Sequence, residues 1–171
     1  MNIDIKTLQQ ELKDQSQSTT MFFRPGIHES VKLIDAIIKD TPSGVKVIQM
    51  TFIQDEKKLY YTEWLDEEKT EDAKKKVMMS ILQVLNAIVP PTILDSMVIT
   101  ESLVDFAEKS ILVLNGFRST VDLRLKAVYV KDKVTVPLHS KFPWIENMAL
   151  VATADSKIQM YPRDRMTPDA A

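Results

Sequence analysis

A mainly β fold with a helical insert, α+β in class, is what this sequence predicts, on three observations. Between residues 31 and 65, β-branched, aromatic and other apolar residues fall in runs separated by turn clusters. From about Thr70 the apolar period lengthens to that of a helix. From Val121 it returns to two, the period of a half-buried strand.

Ile3, Leu8 and Leu12 predict a short amphipathic helix, and the polar run Asp14–Thr20 after it has nothing to bury, so residues 1–20 form an N-terminal helix and arm. Arg24-Pro25-Gly26 signals a turn, and Val31 to Lys39 is the first strand. Asp40-Thr41-Pro42-Ser43-Gly44 turns the chain into a second strand, Val45 to Ile53. A charged tip, Asp55-Glu56-Lys57-Lys58, leads to a third strand, Leu59 to Leu65, which completes a meander.

Ala73, Val77, Ile81, Val84, Leu85 and Ile88 share one helical face. Glu67, Glu68, Glu71 and Asp72 gather at the start of this helix, where they complement its dipole; Lys74, Lys75 and Lys76 follow as a solvated face, and Pro90-Pro91 stops it. Thr100 is the expected N-cap of a second helix through Leu103, Phe106, Ala107 and Ile111, ended by Asn115-Gly116. In the next strand Val121, Leu123, Leu125, Ala127 and Tyr129 take one face, and Asp122, Arg124 and Lys126 the other, wet face. Lys131-Asp132-Lys133 turns into a short strand, Val134-Thr135-Val136, ended by Pro137, and Ile158 and Met160 suggest a last strand. Three strands, a helical insert at about 67–112 and two strands is the order of a five-stranded OB-type barrel with helices between strands 3 and 4, so residues 21–171 are expected to form a single OB-fold domain.

Composition narrows the function. A chain of 171 residues, 44% hydrophobic, is enough for one well-packed core. Its longest nearly apolar stretch, Met78 to Pro91, is broken by Ser80, Gln83 and Asn86 and is too short to span a bilayer. The N-terminus mixes Asp4, Lys6 and Glu11 into its apolar positions, unlike a secretory signal, so a cytoplasmic protein is expected. Without cysteine there is no disulfide, thiolate nucleophile or Cys-ligated metal. His28 and His139 are far apart and lack neighbours at metal-ligand spacing. With 22 basic and 24 acidic residues the chain cannot coat nucleic acid by overall charge, so any such site is a local patch. Three glycines and the absence of GxGxxG or GxxxxGK[ST] leave no phosphate loop. His28-Glu29-Ser30 invites comparison with a triad, but neighbours on a strand point to opposite faces. No catalytic residue and no cofactor are expected.

Two places carry the makings of a single-strand site. From Arg118 to Lys141, six basic residues (Arg118, Arg124, Lys126, Lys131, Lys133, Lys141) stand against Asp122 and Asp132, with Phe117, Tyr129, Phe142 and Trp144 among and beside them. Cations that track phosphates beside rings that stack on bases are the working parts of such a site. The third strand offers Lys57 and Lys58 before Tyr60, Tyr61 and Trp64. Either Tyr60, Thr62 and Trp64 or Tyr61 and Glu63 face outward there, and the sequence does not choose.

The stretch Arg24-Pro25-Gly26-Ile27-His28-Glu29-Ser30-Val31-Lys32-Leu33, with Leu123-Arg124-Leu125-Lys126-Ala127-Val128-Tyr129, Val136-Pro137 and Phe142-Pro143-Trp144-Ile145-Glu146-Asn147-Met148, resembles the phage-encoded OB-fold single-stranded DNA-binding proteins of replication and recombination. The resemblance implies a viral protein that coats exposed single strands without sequence specificity in the host cytoplasm, alongside replication or recombination proteins, and catalyses nothing. The C-terminus, Arg163 to Ala171, lacks the strongly acidic tail through which better-known single-strand binders recruit partners. Single-stranded DNA is the expected partner, no membrane is involved, and a homo-oligomer is compatible with the sequence. The alternative is a protein-interaction or virion-assembly module on the same barrel, with the helical insert and its Met78, Met79 and Met97 as contact surface.

Overall fold

Every second side chain of the third strand is buried, and that alternation organises the molecule: Leu59, Tyr61, Glu63 and Leu65 point inward while Tyr60, Thr62 and Trp64 face water. The computed structural model describes residues 4–10, 12, 23–138, 145–153 and 156–168. Its strands are β1 (Gly26–Lys39), β2 (Lys46–Gln54), β3 (Lys57–Leu65), β4 (Leu123–Val130), β5 (Lys133–Thr135) and β6 (Met148–Leu150). Between β3 and β4 lie α1 (Glu71–Ile88), α2 (Pro91–Asp95) and α3 (Leu103–Phe117). Residues 5–10 are helical as well. The architecture is α+β, an antiparallel sheet with helices.

The strands run in the order β3-β2-β1-β4-β5, with β6 paired to β4. β1 serves two neighbours. Its first part pairs with β4, from Gly26 with Ala127 to Val31 with Leu123, and its second part with β2, from Lys32 with Ile53 to Lys39 with Val47. Register shifts at His28/Val31 and Leu33/Asp35 mark the hand-over, and Ser30 there takes a positive φ of 58°. The edge of β1 that β2 leaves open is covered by the end of α3. The Ala36 amide donates to Asn115 Oδ1 at 3.2 Å, Asn115 Nδ2 donates to the Ala36 carbonyl at 2.9 Å, and the Ser119 amide donates to the Leu33 carbonyl at 2.7 Å. A side-chain amide here substitutes for a strand partner. At the far side β5 lies beside β3, where Thr135 Oγ1 donates to the Tyr60 carbonyl at 2.9 Å; the two strands share no ladder, so the sheet stays open between them.

The inner face of the sheet buries Leu33, Ile48, Met50, Phe52 and Leu125 against Ile81, Val84 and Leu85 of α1 and Phe106 and Leu114 of α3. Each such side chain withdrawn from water contributes about 1.5–3 kcal/mol. Thr70 caps α1 by accepting from the Ala73 amide, and the helix ends at Val89 before Pro90-Pro91. Pro91 then opens the short α2, which the sequence did not suggest.

Several expectations are corrected in detail. β1 begins at Gly26 rather than Val31, because its first residues find a partner in β4. The N-cap of α3 is Ser102, whose hydroxyl accepts from the Asp105 amide; Thr100 instead donates its hydroxyl to the Asp105 carboxylate. Glu67, expected at the start of α1, accepts from the Val104 amide at 2.8 Å and so serves the N-terminus of α3. The last strand is β6, not a strand at Ile158 and Met160, since the second edge of β4 is filled by residues 148–150.

Candidate nucleic-acid interface

β3 settles which aromatics face outward. Trp64 is 49% exposed and Tyr60 39%, with Thr62 between them on the same face. The β2 register places Ile53 opposite Lys58, Thr51 opposite Tyr60, Gln49 opposite Thr62 and Val47 opposite Trp64. Opposed residues of an antiparallel pair share a face, so the two rings stand on a floor of Gln49 and β-branched side chains. This floor was legible only through the hairpin register. Tyr61, a predicted stacking residue, is corrected: it is buried and donates its hydroxyl to the equally buried Glu63 carboxylate at 2.5 Å. Burial, with the negative charge of Glu63, pushes its phenol far above the ordinary value.

Lysines interleaved with acids stand near this face: Lys57 and Lys58 follow Asp55 and Glu56, and Asp132 lies between Lys131 and Lys133. Lys57 and Lys58 enter β3 from a hairpin in which Asp55 takes a positive φ of 55°. The β4–β5 hairpin turns at Lys131, φ 60°, and both Lys131 and Lys133 are exposed. The Thr135–Tyr60 hydrogen bond brings β5, the strand that this turn opens, alongside β3. Among the described residues no carboxylate lies within ion-pair distance of Lys57, Lys58, Lys131 or Lys133.

The rest of the basic segment is used differently. The expected wet face of β4 is covered. Lys126 is 1% exposed, and its ammonium meets Asp164 Oδ2 at 2.8 Å, the Gln159 carbonyl at 3.2 Å and the face of the Tyr161 ring at 4.9 Å. Asp164 Oδ2 also accepts from the Tyr161 amide, and the Tyr129 amide donates to the Arg165 carbonyl at 2.9 Å. Residues 159–165 thus strap the strand, and Lys126 is a core cation instead of a phosphate ligand. Arg124 is likewise committed, with Nε 2.6 Å from Glu29 Oε1. Tyr129 is half-buried beside β5, and Arg118 is exposed at the C-terminal cap of α3. Lys141, Phe142 and Trp144 lie outside the described residues. The strap has no local signature in the sequence because Tyr161 and Asp164 carry no periodicity; its one trace is a lysine within Leu123–Val130, an otherwise apolar run apart from Arg124.

His28 is structural. Its ring nitrogens lie 2.9 Å from Gln54 Oε1 and 2.7 Å from the Arg24 carbonyl, and its ring packs on Phe23. With Glu29 on Arg124, the His28-Glu29-Ser30 trio makes no nucleophile–base pair. Among the described residues no three His, Asp or Glu side chains converge as metal ligands, and no helix is long and apolar enough to cross a membrane. A shallow groove of about 350 Å³ lies between α1 and residues 145–153, lined by Gln83, Asn86, Glu146 and Thr153 among others.

No protein-family model matches the chain, and a search of curated proteins finds no match either.

Proposed function

We propose that this chain is a single-stranded DNA-binding module on an OB-type barrel, acting without sequence specificity in phage-type replication or recombination. The observation that carries the reading is the pair of exposed rings, Tyr60 and Trp64, on one face of β3 with the uncommitted Lys58, while the uncommitted Lys131 and Lys133 belong to the hairpin whose Thr135 meets Tyr60. Rings of this kind stack on bases of any identity, each for about 1–3 kcal/mol, while lysines follow the backbone. The strand order supports the barrel: β3 and β5 are the ends of the path and lie side by side, and OB barrels are partly open and bind oligonucleotides across strands 2 and 3 and the loop between strands 4 and 5. The test is fluorescence anisotropy of a labelled oligo-dT at low and moderate salt, with a duplex control. Salt-sensitive binding of the single strand, lost in a Tyr60→Ala, Trp64→Ala double variant, is expected; absence of binding at low salt refutes the reading.

A second reading, a protein-interaction module, is favoured by the exposure of Val98, Ile99 and Leu112 on the insert. Contacts through such apolar surface respond little to salt, so the same titration separates the two.

A further inference from the structure

The N-terminal helix turns its apolar side to water. Asp4 caps it, the carboxylate accepting from the Lys6 amide at 3.1 Å and the carbonyl from the Leu8 amide at 3.2 Å. Ile5, Leu8 and Leu12, at i, i+3 and i+7, form one stripe; Ile5 and Leu12 are more than half exposed and Leu8 nearly so. A helix this short is marginal in water by itself and owes its stability to the packing of its apolar face. The stripe therefore calls for a cover.

The insert carries a bare surface of matching kind. Lys109 Nζ donates to the Val98 carbonyl and the Thr100 hydroxyl to the Asp105 carboxylate, both at 2.7 Å, so residues 98–100 run along the 105–109 side of α3. Leu112 stands one turn beyond Lys109 on that side, and Val98, Ile99 and Leu112 are all more than half exposed. With both stripes bare, the chain's own helix does not cover its own insert. Residues 91–116 hold four carboxylates, Asp95, Glu101, Asp105 and Glu108, against Lys109 alone, so two inserts face to face would bring like charges together. The helix is balanced, with Asp4 and Glu11 against Lys6 and Lys13. Helix against helix would leave Val98, Ile99 and Leu112 in water, whereas helix against insert covers both stripes.

We infer that two copies of this chain pair by exchanging their N-terminal helices, each laid along α3 and the 98–100 loop of the other. The exchange is reciprocal, so the pair closes on itself. It covers six aliphatic side chains at each of two contacts, on average about two-thirds exposed; at roughly 120 Å² for a fully exposed one, that is roughly 900 Å² of apolar surface. A standard interface of about 1,600 Å², somewhat over half of it apolar, needs no more. Residues 13–22, the polar arm before Phe23, span up to about 33 Å when extended, enough to carry the helix to a neighbour. The insert surface is the one that favours the protein-interaction reading, on which this inference rests, and the single-strand reading stands apart from it.

The experiment begins with sedimentation velocity of the full chain at rising concentration. The mass of two chains is expected, and Leu8→Ser and Leu112→Ser should each weaken association by at least about tenfold. Both positions are exposed, so circular dichroism should show the fold of each variant unchanged. Because the chain has no cysteine, introduced thiols then report which surfaces meet. A tagged Leu8→Cys chain is mixed with an untagged Leu112→Cys chain and mildly oxidised; a disulfide needs Cα atoms within about 7 Å, and the tagged–untagged product is expected to dominate. Products joined only through like positions overturn the exchange, as does a Leu8→Cys, Leu112→Cys double variant that closes its disulfide within one chain. A chain that stays monomeric at every concentration also overturns it, while the protein-interaction reading is then decided by the salt titration above.

Discussion

Lys126 and Asp164 form an ion pair at 2.8 Å with side chains only 1% and 7% exposed, joining β4 to a segment 38 residues further along the chain. A buried pair is costly to break and cheap to replace, because a lone charge left in the interior has no compensation. Lys126→Met alone is therefore expected to destabilise the fold by about 3–5 kcal/mol, and adding Asp164→Leu should restore most of the loss. Urea denaturation of the two variants measures this; a single variant as stable as the parent would contradict a strap anchored by charge.

Tyr60→Ala and Trp64→Ala should each lower single-strand affinity by about 1–3 kcal/mol. Because both rings face water, the stability of either variant should stay within about 0.5 kcal/mol of the parent. Quenching of tryptophan emission on adding oligo-dT should also shrink in Trp64→Phe, and anisotropy with thermal melts tests the rest.

Arg124 separates the two basic regions that the sequence joined. Its guanidinium is held by Glu29, so Arg124→Ala should leave affinity within about twofold and reduce stability by no more than about 1 kcal/mol. Lys131→Gly is the counterpart: it removes an uncommitted cation at a positive φ of 60°. Stability should stay within about 1 kcal/mol, and the salt slope should become shallower by about 0.7. An affinity loss at Arg124 with none at Lys131 would move the site to β4.

Two groups predict how the fold responds to pH. Tyr61 has its folded value raised by burial, so above the ordinary phenol value of 10 only the unfolded chain ionises, and stability falls as pH rises past it. Asp105 is held below 3.8 by hydrogen bonds from Thr100 and Lys109, so its contribution is present at neutral pH and disappears as pH drops through the carboxylate range. Urea midpoints followed into alkali should fall less steeply in Tyr61→Phe, and those followed into acid less steeply in Asp105→Asn.

What the sequence revealed divides along the same physical lines. Period-two burial in β3 and period-3.6 burial in α1 are local signals, and the helical insert between β3 and β4 could be placed from them. Tertiary cover is not local. Arg124 and Lys126 alternate with apolar residues as an exposed face would, and nothing nearby announces that Glu29 and Asp164, from distant parts of the chain, neutralise them. Tyr60 and Tyr61 are adjacent residues of one kind with opposite fates, fixed by which face of β3 meets α1 and the core. Thr100 and Ser102 are both capping residues two positions apart, and it is the Ser102 hydroxyl that meets the Asp105 amide.

The double allegiance of β1 also orders the birth of the structure in time. Lys39 finds Val47 across a short turn, whereas Glu29 finds Arg124 95 residues away, after the whole insert has been made. Closing so long a loop is slow compared with zipping a hairpin, so the β1–β2–β3 meander forms early and the seam with β4 late. Weakening the seam should then hasten unfolding while leaving refolding almost unchanged, a signature visible in the two arms of a denaturant chevron. While the seam waits, the unpaired edge of β1 is open to a strand from another copy, so the newly made chain is most exposed to mispairing before β4 arrives.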